Sequence, residues 1–157
     1  MPYVWRIGTD TPDYTSDDLS GIGAEKTGGR WNRKGHPVLY TASSISLAAL
    51  ETLGHLGTGG LPLNRYLVRI EVPDDVWNAR ERKPALTLPV GWDARPEGMV
   101  SLDLGDQWLK ELSSVLLEVP SVVVPEENNV LVNPRHPHAG KITATKMRLW
   151  QYDQRIR

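Results

Sequence analysis

Four side chains have the chemistry to hold and cleave a phosphorylated ribose compound: Arg30, Tyr40, Glu51 and Ser121. Arg30 follows Gly28 and Gly29, which permit close backbone approach beside it. A guanidinium is a fixed fork of donors that fits phosphate oxygens and keeps its proton at working pH. A surface salt bridge is the plainer use of a loop arginine. Tyr40 ends a short apolar run, where its ring can stack on a flat heterocycle while its hydroxyl finds a partner, or where it is a half-buried core tyrosine. Glu51 is the one acid in residues 44–56. A carboxylate beside ribose can bind its hydroxyls and stabilise charge at the anomeric carbon, because glycosidic cleavage passes through an oxocarbenium-like state. The competing use is a solvated helix-face glutamate paired with His55 one turn on. Ser121 follows Pro120 between two apolar runs; its hydroxyl either meets a ribose or phosphate oxygen or satisfies a β-bend.

Other chemistries fit the residues less well. The run GIGAEKTGG at 21–29 invites a phosphate-loop reading, but the dinucleotide fingerprint needs glycine where Lys26 stands, and the Walker pattern needs Gly-Lys-Ser/Thr at its end. His36, His55, His136 and His138 show no HExxH or comparable ligand spacing, so no metal is expected. No base stands at a spacing that supports a Ser-His-Asp triad. The chain has no cysteine, which excludes disulfides, zinc thiolate sites and cysteine nucleophiles.

The elements that must position these groups follow from periodicity. Residues 3–7 read as a first strand and 8–29 as loop, with a short turn near Leu19. Residues 38–42 read as a strand leading to a helix at 44–56, capped by Ser43 or Ser44. On that helix Ile45, Ala49, Leu50, Leu53 and Leu56 share one face, so Glu51 points to the other, one turn after Ala48. The Gly-rich stretch 57–60 ends it. Residues 65–72 alternate as a strand with Tyr66, Val68, Ile70 and Val72 on one side. Residues 73–104 carry four prolines and little periodicity, and read as a surface excursion. A short helix at 105–113, apolar runs at 115–119 and 121–124, a strand at 129–132 and a last strand at 142–152, with Met147 and Leu149 on one side, complete the chain. Strands outnumber helices without alternating regularly with them, which predicts an α+β fold: a compact single domain over 1–157 with a mixed β-sheet and a few helices.

Composition sets the remaining bounds. A chain of 157 residues can bury a sizeable core, and 39% hydrophobic with 24% charged residues suits a globular protein. The formal net charge of -1 argues against broad binding to nucleic acid or anionic membrane. Lys26, Arg30, Arg33 and Lys34 make a basic patch the size of a single anionic ligand. MPYVWRIG lacks the basic and apolar regions of a signal peptide, and no apolar run approaches the roughly 18–20 residues of a membrane span. A cytoplasmic location is therefore expected. The residues alone support an α+β domain with an anion site.

The motifs carry more. GGRWNRKGHPVLYTASSISLAALETLGHL resembles the central motif of the RES-domain family, named for arginine, glutamate and serine. LSGIGAEKTGGRW is similar to its lead-in, VPSVVVPEENNVLVNPRHP to its second motif and LWQYDQRIR to its close. Together the blocks cover most of the chain, leaving 57–63 and parts of 73–104 unmatched. Asn129 departs from the aromatic often found there, which bears on packing near the second motif.

The resemblance implies a toxin of a type II toxin–antitoxin pair. Its fold would be similar to that of the ADP-ribosyltransferase toxins, and its partner an Xre-like helix-turn-helix antitoxin that blocks the pocket. Homodimerisation is a further family expectation. The implied activity is depletion of NAD, a substrate and not a cofactor, by cleavage of the nicotinamide–ribose bond with water or phosphate as acceptor. Two alternatives are a protein ADP-ribosyltransferase and an inactive antitoxin-binding module. By motif, Arg30 is the family arginine, Glu51 its glutamate and Ser121 its serine. Arg30 would hold the pyrophosphate, Tyr40 stack near the nicotinamide, Glu51 stabilise the ribosyl cation, and Ser121 bind a ribose or phosphate oxygen. Trp31 and Asn32 would shape the NAD pocket.

Overall fold

Strand β1 (Tyr3–Thr9) buries Val4 and Ile7, and between them sets a charged residue, Arg6, into an otherwise apolar run. The structure, a computed structural model, describes residues 2–54 and 62–156. Residues 8–29, expected as loop, contain a six-residue helix, α1 (Ile22–Thr27). It buries no residue, so no apolar periodicity marks it in the sequence. Strand β2 (Leu39–Ala42) and helix α2 (Ile45–Leu53) lie within the expected spans, and the Ser44 hydroxyl accepts from the Leu47 amide at 3.1 Å as N-cap. His55, Leu56 and the Gly-rich stop at 57–60 lie outside the described residues.

The inward face of α2 differs from the periodicity reading. Leu47 and Ala48 are its buried residues, while Leu50 is 41% exposed. The helix is short and meets the sheet through Ile7, Ala42 and Leu67, so it turns its tighter-packing pair inward. Glu51 stands three and four positions after that pair, and a spacing of three or four residues keeps it on the inward side.

Strand β3 (Arg65–Glu71) follows, with Val68 and Ile70 fully buried. Residues 73–104 are not a mere excursion. They form α3 (Asp74–Asn78), a two-residue strand β4 (Glu81–Arg82) and the start of α4 (Met99–Glu111). The helix expected at 105–113 begins six residues earlier because Val100, Leu104 and Trp108 recur every fourth position and pack in one cluster with Trp31 and Trp92. Gly105 is required there: a Cβ would overlap the carbonyl oxygen of Trp31. Strand β5 (Leu116–Pro120) is buried throughout, and 121–124, expected as a second apolar run, is a turn. Strands β6 (Asn128–Val132) and β7 (Thr143–Leu149) complete the sheet. Strand β7 is an edge strand, and its Met147 and Leu149 are 44% and 41% exposed.

The seven strands run in the order β4-β5-β6-β2-β1-β3-β7. The β4–β5 pair is parallel and the rest are antiparallel, as a mixed sheet requires. The fold is α+β. One irregularity positions everything that follows. Strand β1 pairs with β3 through seven residue pairs but with β2 only through Trp5 and Ala42. The sheet is split between β1 and β2, and α2 lies across the split.

Candidate functional site

The split opens as a cleft of about 170 Å³ walled by Arg6 of β1, Tyr40 of β2, Ala48, Glu51 and Thr52 of α2, and Asn129 of β6. Two of its walls come from residues expected in a site, Tyr40 and Glu51. Arg6, Thr52 and Asn129 were not expected.

Glu51 is held from across the sheet. The Ser121 hydroxyl donates to its Oε1 at 2.6 Å. Ser121 is fully buried, and its oxygen in turn accepts from the amides of Val123 and Val124 at 3.1 and 3.0 Å. Those bonds arise because Pro120 ends β5 and the chain turns at once, Ser121 being tied to Glu127 by its amide. Seventy residues of sequence separation are thus closed by one bond. Ser121 meets the carboxylate, and not open space where a ribose or phosphate oxygen would lie. Among the described residues the second oxygen of Glu51 has no protein partner.

Tyr40 presents its ring to the cleft and fixes its hydroxyl away from it. The hydroxyl donates to Asn32 Oδ1 at 2.6 Å and accepts from the Trp31 amide at 3.0 Å. Burial pushes the Tyr40 phenol well above its ordinary value, partly opposed by the Trp31 amide, so the group stays neutral. Asn32 is itself fully buried, its amide donating to the carbonyls of Ala24 and His36 at 2.9 Å each. Asn32 and Trp31 therefore shape the site through Tyr40: neither lines the cleft. Gly29 is where the sequence allows this, since a side chain there would crowd the Tyr40 hydroxyl.

The two arginines differ from expectation. Arg30 does not line the cleft. Its Nη1 donates to the carbonyls of Trp92 and Ala94 at 3.1 and 2.8 Å, strapping the 92–94 turn onto the Gly28–Asn32 loop while Trp92 stacks on Trp31. The cation of the cleft is Arg6. Its Nη1 donates to the Tyr40 carbonyl at 3.2 Å, its Nε is sealed from solvent without a partner, and the rest of the residue is partly exposed. Desolvation lowers its proton affinity, with Arg65 adding to the effect and Tyr14 and Asp18 opposing it. A desolvated cation with donor capacity unspent is a candidate to meet an anion. The sequence signal was available: a lone charge between Val4, Trp5 and Ile7 in a strand. Asn129, whose amide donates to the Thr41 carbonyl at 3.3 Å, offered no such signal.

Arg33 of the basic patch, and His36 beside it, are structural. Arg33 pairs with Asp103 and Asp106 at 2.7 Å each, which raises its proton affinity, and His36 meets Asp106 at 3.0 Å. These bonds pin the loop to α4. Among the described residues no group of three or more His, Asp or Glu side chains is arranged to hold a metal.

A mixed sheet split over a cleft, with a carboxylate fixed in one wall and a desolvated arginine in the other, gives an α+β domain with a candidate ligand site. The family model of the RES domain matches residues 3–154, and the chain belongs to that family. A protein of Sphingobium sp. (strain YBL2) named Prs ADP-ribosylating toxin is 57% identical over 152 residues, 97% of this chain and 94% of its own. Proteins named Toxin Res from Yersinia enterocolitica and Pseudomonas putida are 44% and 42% identical, covering 78% and 87% of this chain and 79% and 87% of theirs. This chain is thus a RES-domain toxin. No helix among the described residues is long and apolar enough to cross a membrane.

Proposed function

We propose that this toxin breaks the bond between nicotinamide and ribose in NAD and passes the ADP-ribosyl group to an acceptor. The observation that carries the reading is the Glu51–Ser121 pair: a carboxylate with one oxygen fixed at 2.6 Å and the other without a partner among the described residues, in the wall of a cleft that also holds Arg6 and the Tyr40 ring. Arg6 binds the pyrophosphate with its unspent donors. The Tyr40 ring stacks on the nicotinamide. The glycosidic C–N bond breaks with its electron pair leaving on nicotinamide, which becomes neutral. Glu51 stabilises the cation left on the ribose. The acceptor then gives an electron pair to the anomeric carbon, and its proton passes to the free oxygen of Glu51 or to solvent. Since nicotinamide leaves without protonation, one carboxylate suffices where ordinary glycosidases use a pair. Ser121 orients Glu51, and Arg30 holds the rim.

Two acceptors compete. The name of the Sphingobium relative favours a protein, which makes the chain an ADP-ribosyltransferase. The family resemblance favours water or phosphate, which makes it an NAD glycohydrolase or phosphorylase. The partner we propose is an Xre-like antitoxin that covers the cleft. Incubating the purified chain with NAD alone, with inorganic phosphate and with purified Prs, while following nicotinamide and protein mass, separates them. Prs heavier by one ADP-ribosyl group supports transfer. Nicotinamide release with no mass shift supports depletion. Release under none of the three conditions overturns the reading.

A further inference from the structure

Helix α2 carries Glu51 on its last full turn, and that turn is gripped from two sides. Ser121 holds the carboxylate. On the other side the C-terminal tail reaches back after β7. The Trp150 amide donates to the Arg65 carbonyl at 2.8 Å, and the rings of Trp150 and Tyr152 pack against the cluster of Ile7, Leu47 and Leu67 under α2. The Tyr152 hydroxyl then donates to Thr52 Oγ1 at 2.8 Å, and Thr52 donates onward to the Ala49 carbonyl at 2.8 Å. This short chain of bonds brackets Glu51 between Ala49 and Thr52, and Thr52 itself lines the cleft.

We propose that Tyr152 is a positioning residue for Glu51: by fixing Thr52 it sets the pitch of the last turn of α2 and so the placement of the free carboxylate oxygen over the ribose. Ser121 fixes one carboxylate oxygen but leaves the backbone under it free to tilt about that single contact. A turn near a helix C-terminus has carbonyls without intrahelical donors and frays most easily. Among the described residues the Tyr152–Thr52 bond is, besides Ser121–Glu51, the side-chain hydrogen bond from outside the helix that reaches this turn. The tail, one hundred residues from Thr52 in sequence, thereby belongs to the cleft.

The inference rests on the NAD-cleaving reading, and the test separates the two. Tyr152→Phe keeps the ring and removes the donor; Thr52→Val keeps the shape and removes the acceptor. Each is expected to lower kcat for nicotinamide release roughly tenfold, since small misplacements of a reacting group cost rate more than binding, with KM for NAD within about twofold. The double variant is expected to lose no more than either single one, because both break the same bond. Thermal melting run in parallel identifies a variant that fails to fold, and the other then carries the test. Nicotinamide release with wild-type kcat in both variants overturns the inference while leaving the reading intact. So does a rise in KM at constant kcat, or losses that multiply in the double variant. Absence of turnover in the wild type overturns the reading itself.

Discussion

Arg6 and Arg30 carry the same guanidinium, sit 24 positions apart in sequence and do different work. Around Arg30 the polar groups tie loops together: its Nη1 on Trp92 and Ala94, Asn32 on Ala24, His36 and Tyr40, Arg33 on Asp103 and Asp106. At the β1–β2 split, among the described residues, buried Arg6 Nε lacks a partner and Glu51 uses one oxygen of two. A satisfied buried network rigidifies, whereas unspent capacity in a desolvated cleft is what a ligand can use. We read the first region as frame and the second as the candidate site, although residue type alone would rank them the other way.

Variants that tell kinetics from stability distinguish the two regions. The largest separation is expected at Arg6. Removing a charge-assisted contact costs about 1.5–3 kcal/mol, so Arg6→Gln should raise KM for NAD roughly 10- to 100-fold. The melting temperature should not fall, because burial already works against the cation. A lower melting temperature with unchanged KM would make Arg6 part of the frame. Ser121→Ala comes next: loss of the Glu51 bond should reduce kcat about tenfold and leave KM near the wild-type value. An unchanged kcat would show that Glu51 needs no holder from β5. Arg30→Gln is expected to behave oppositely to Arg6→Gln. Two carbonyls lose their donor, at about 1–3 kcal/mol together, which lowers the melting temperature by several degrees, while KM changes by less than about threefold. A large rise in KM would return Arg30 to the pyrophosphate. The smallest effect is alkaline. The Tyr40 phenol is raised above 10.0 in the folded state, so its contribution to stability is complete below that pH and is lost as pH climbs beyond it. Denaturant unfolding from pH 8 to 11 should show stability falling only at the top of the range, and Tyr40→Phe should lessen that fall.

How far the sequence could reach follows from the same contrast. The strands at 3–7, 38–42, 65–72 and 129–132 were legible because alternation and β-branched runs are local signals. The helix α4 was half legible: Trp108 announces it, but Val100 and Leu104 stand behind a proline-rich stretch that reads as loop. The orientation of Glu51 was not legible from helical period. Which face of a short helix turns inward is decided by Ile7, Ala42 and Leu67 on other elements. Motif resemblance named Glu51 and Ser121 but not the bond between them, and it offered Arg30 where the cleft holds Arg6. Neither fact is local: each depends on where the sheet splits, and that depends on β1 pairing seven times with β3 and once with β2.

The central claim is that the carboxylate held by Ser121 acts on NAD in the split. Glu51→Gln keeps the size and a hydrogen-bonding oxygen of the side chain while removing its charge. Nicotinamide release and NAD binding measured together on the purified wild type and this variant test the claim most directly. The account predicts release by the wild type, and a folded variant that binds NAD with similar affinity and releases nicotinamide at least a hundredfold more slowly, about the size of one lost electrostatic contact to a transition state. Equal release by both proteins, or release by neither, would contradict it.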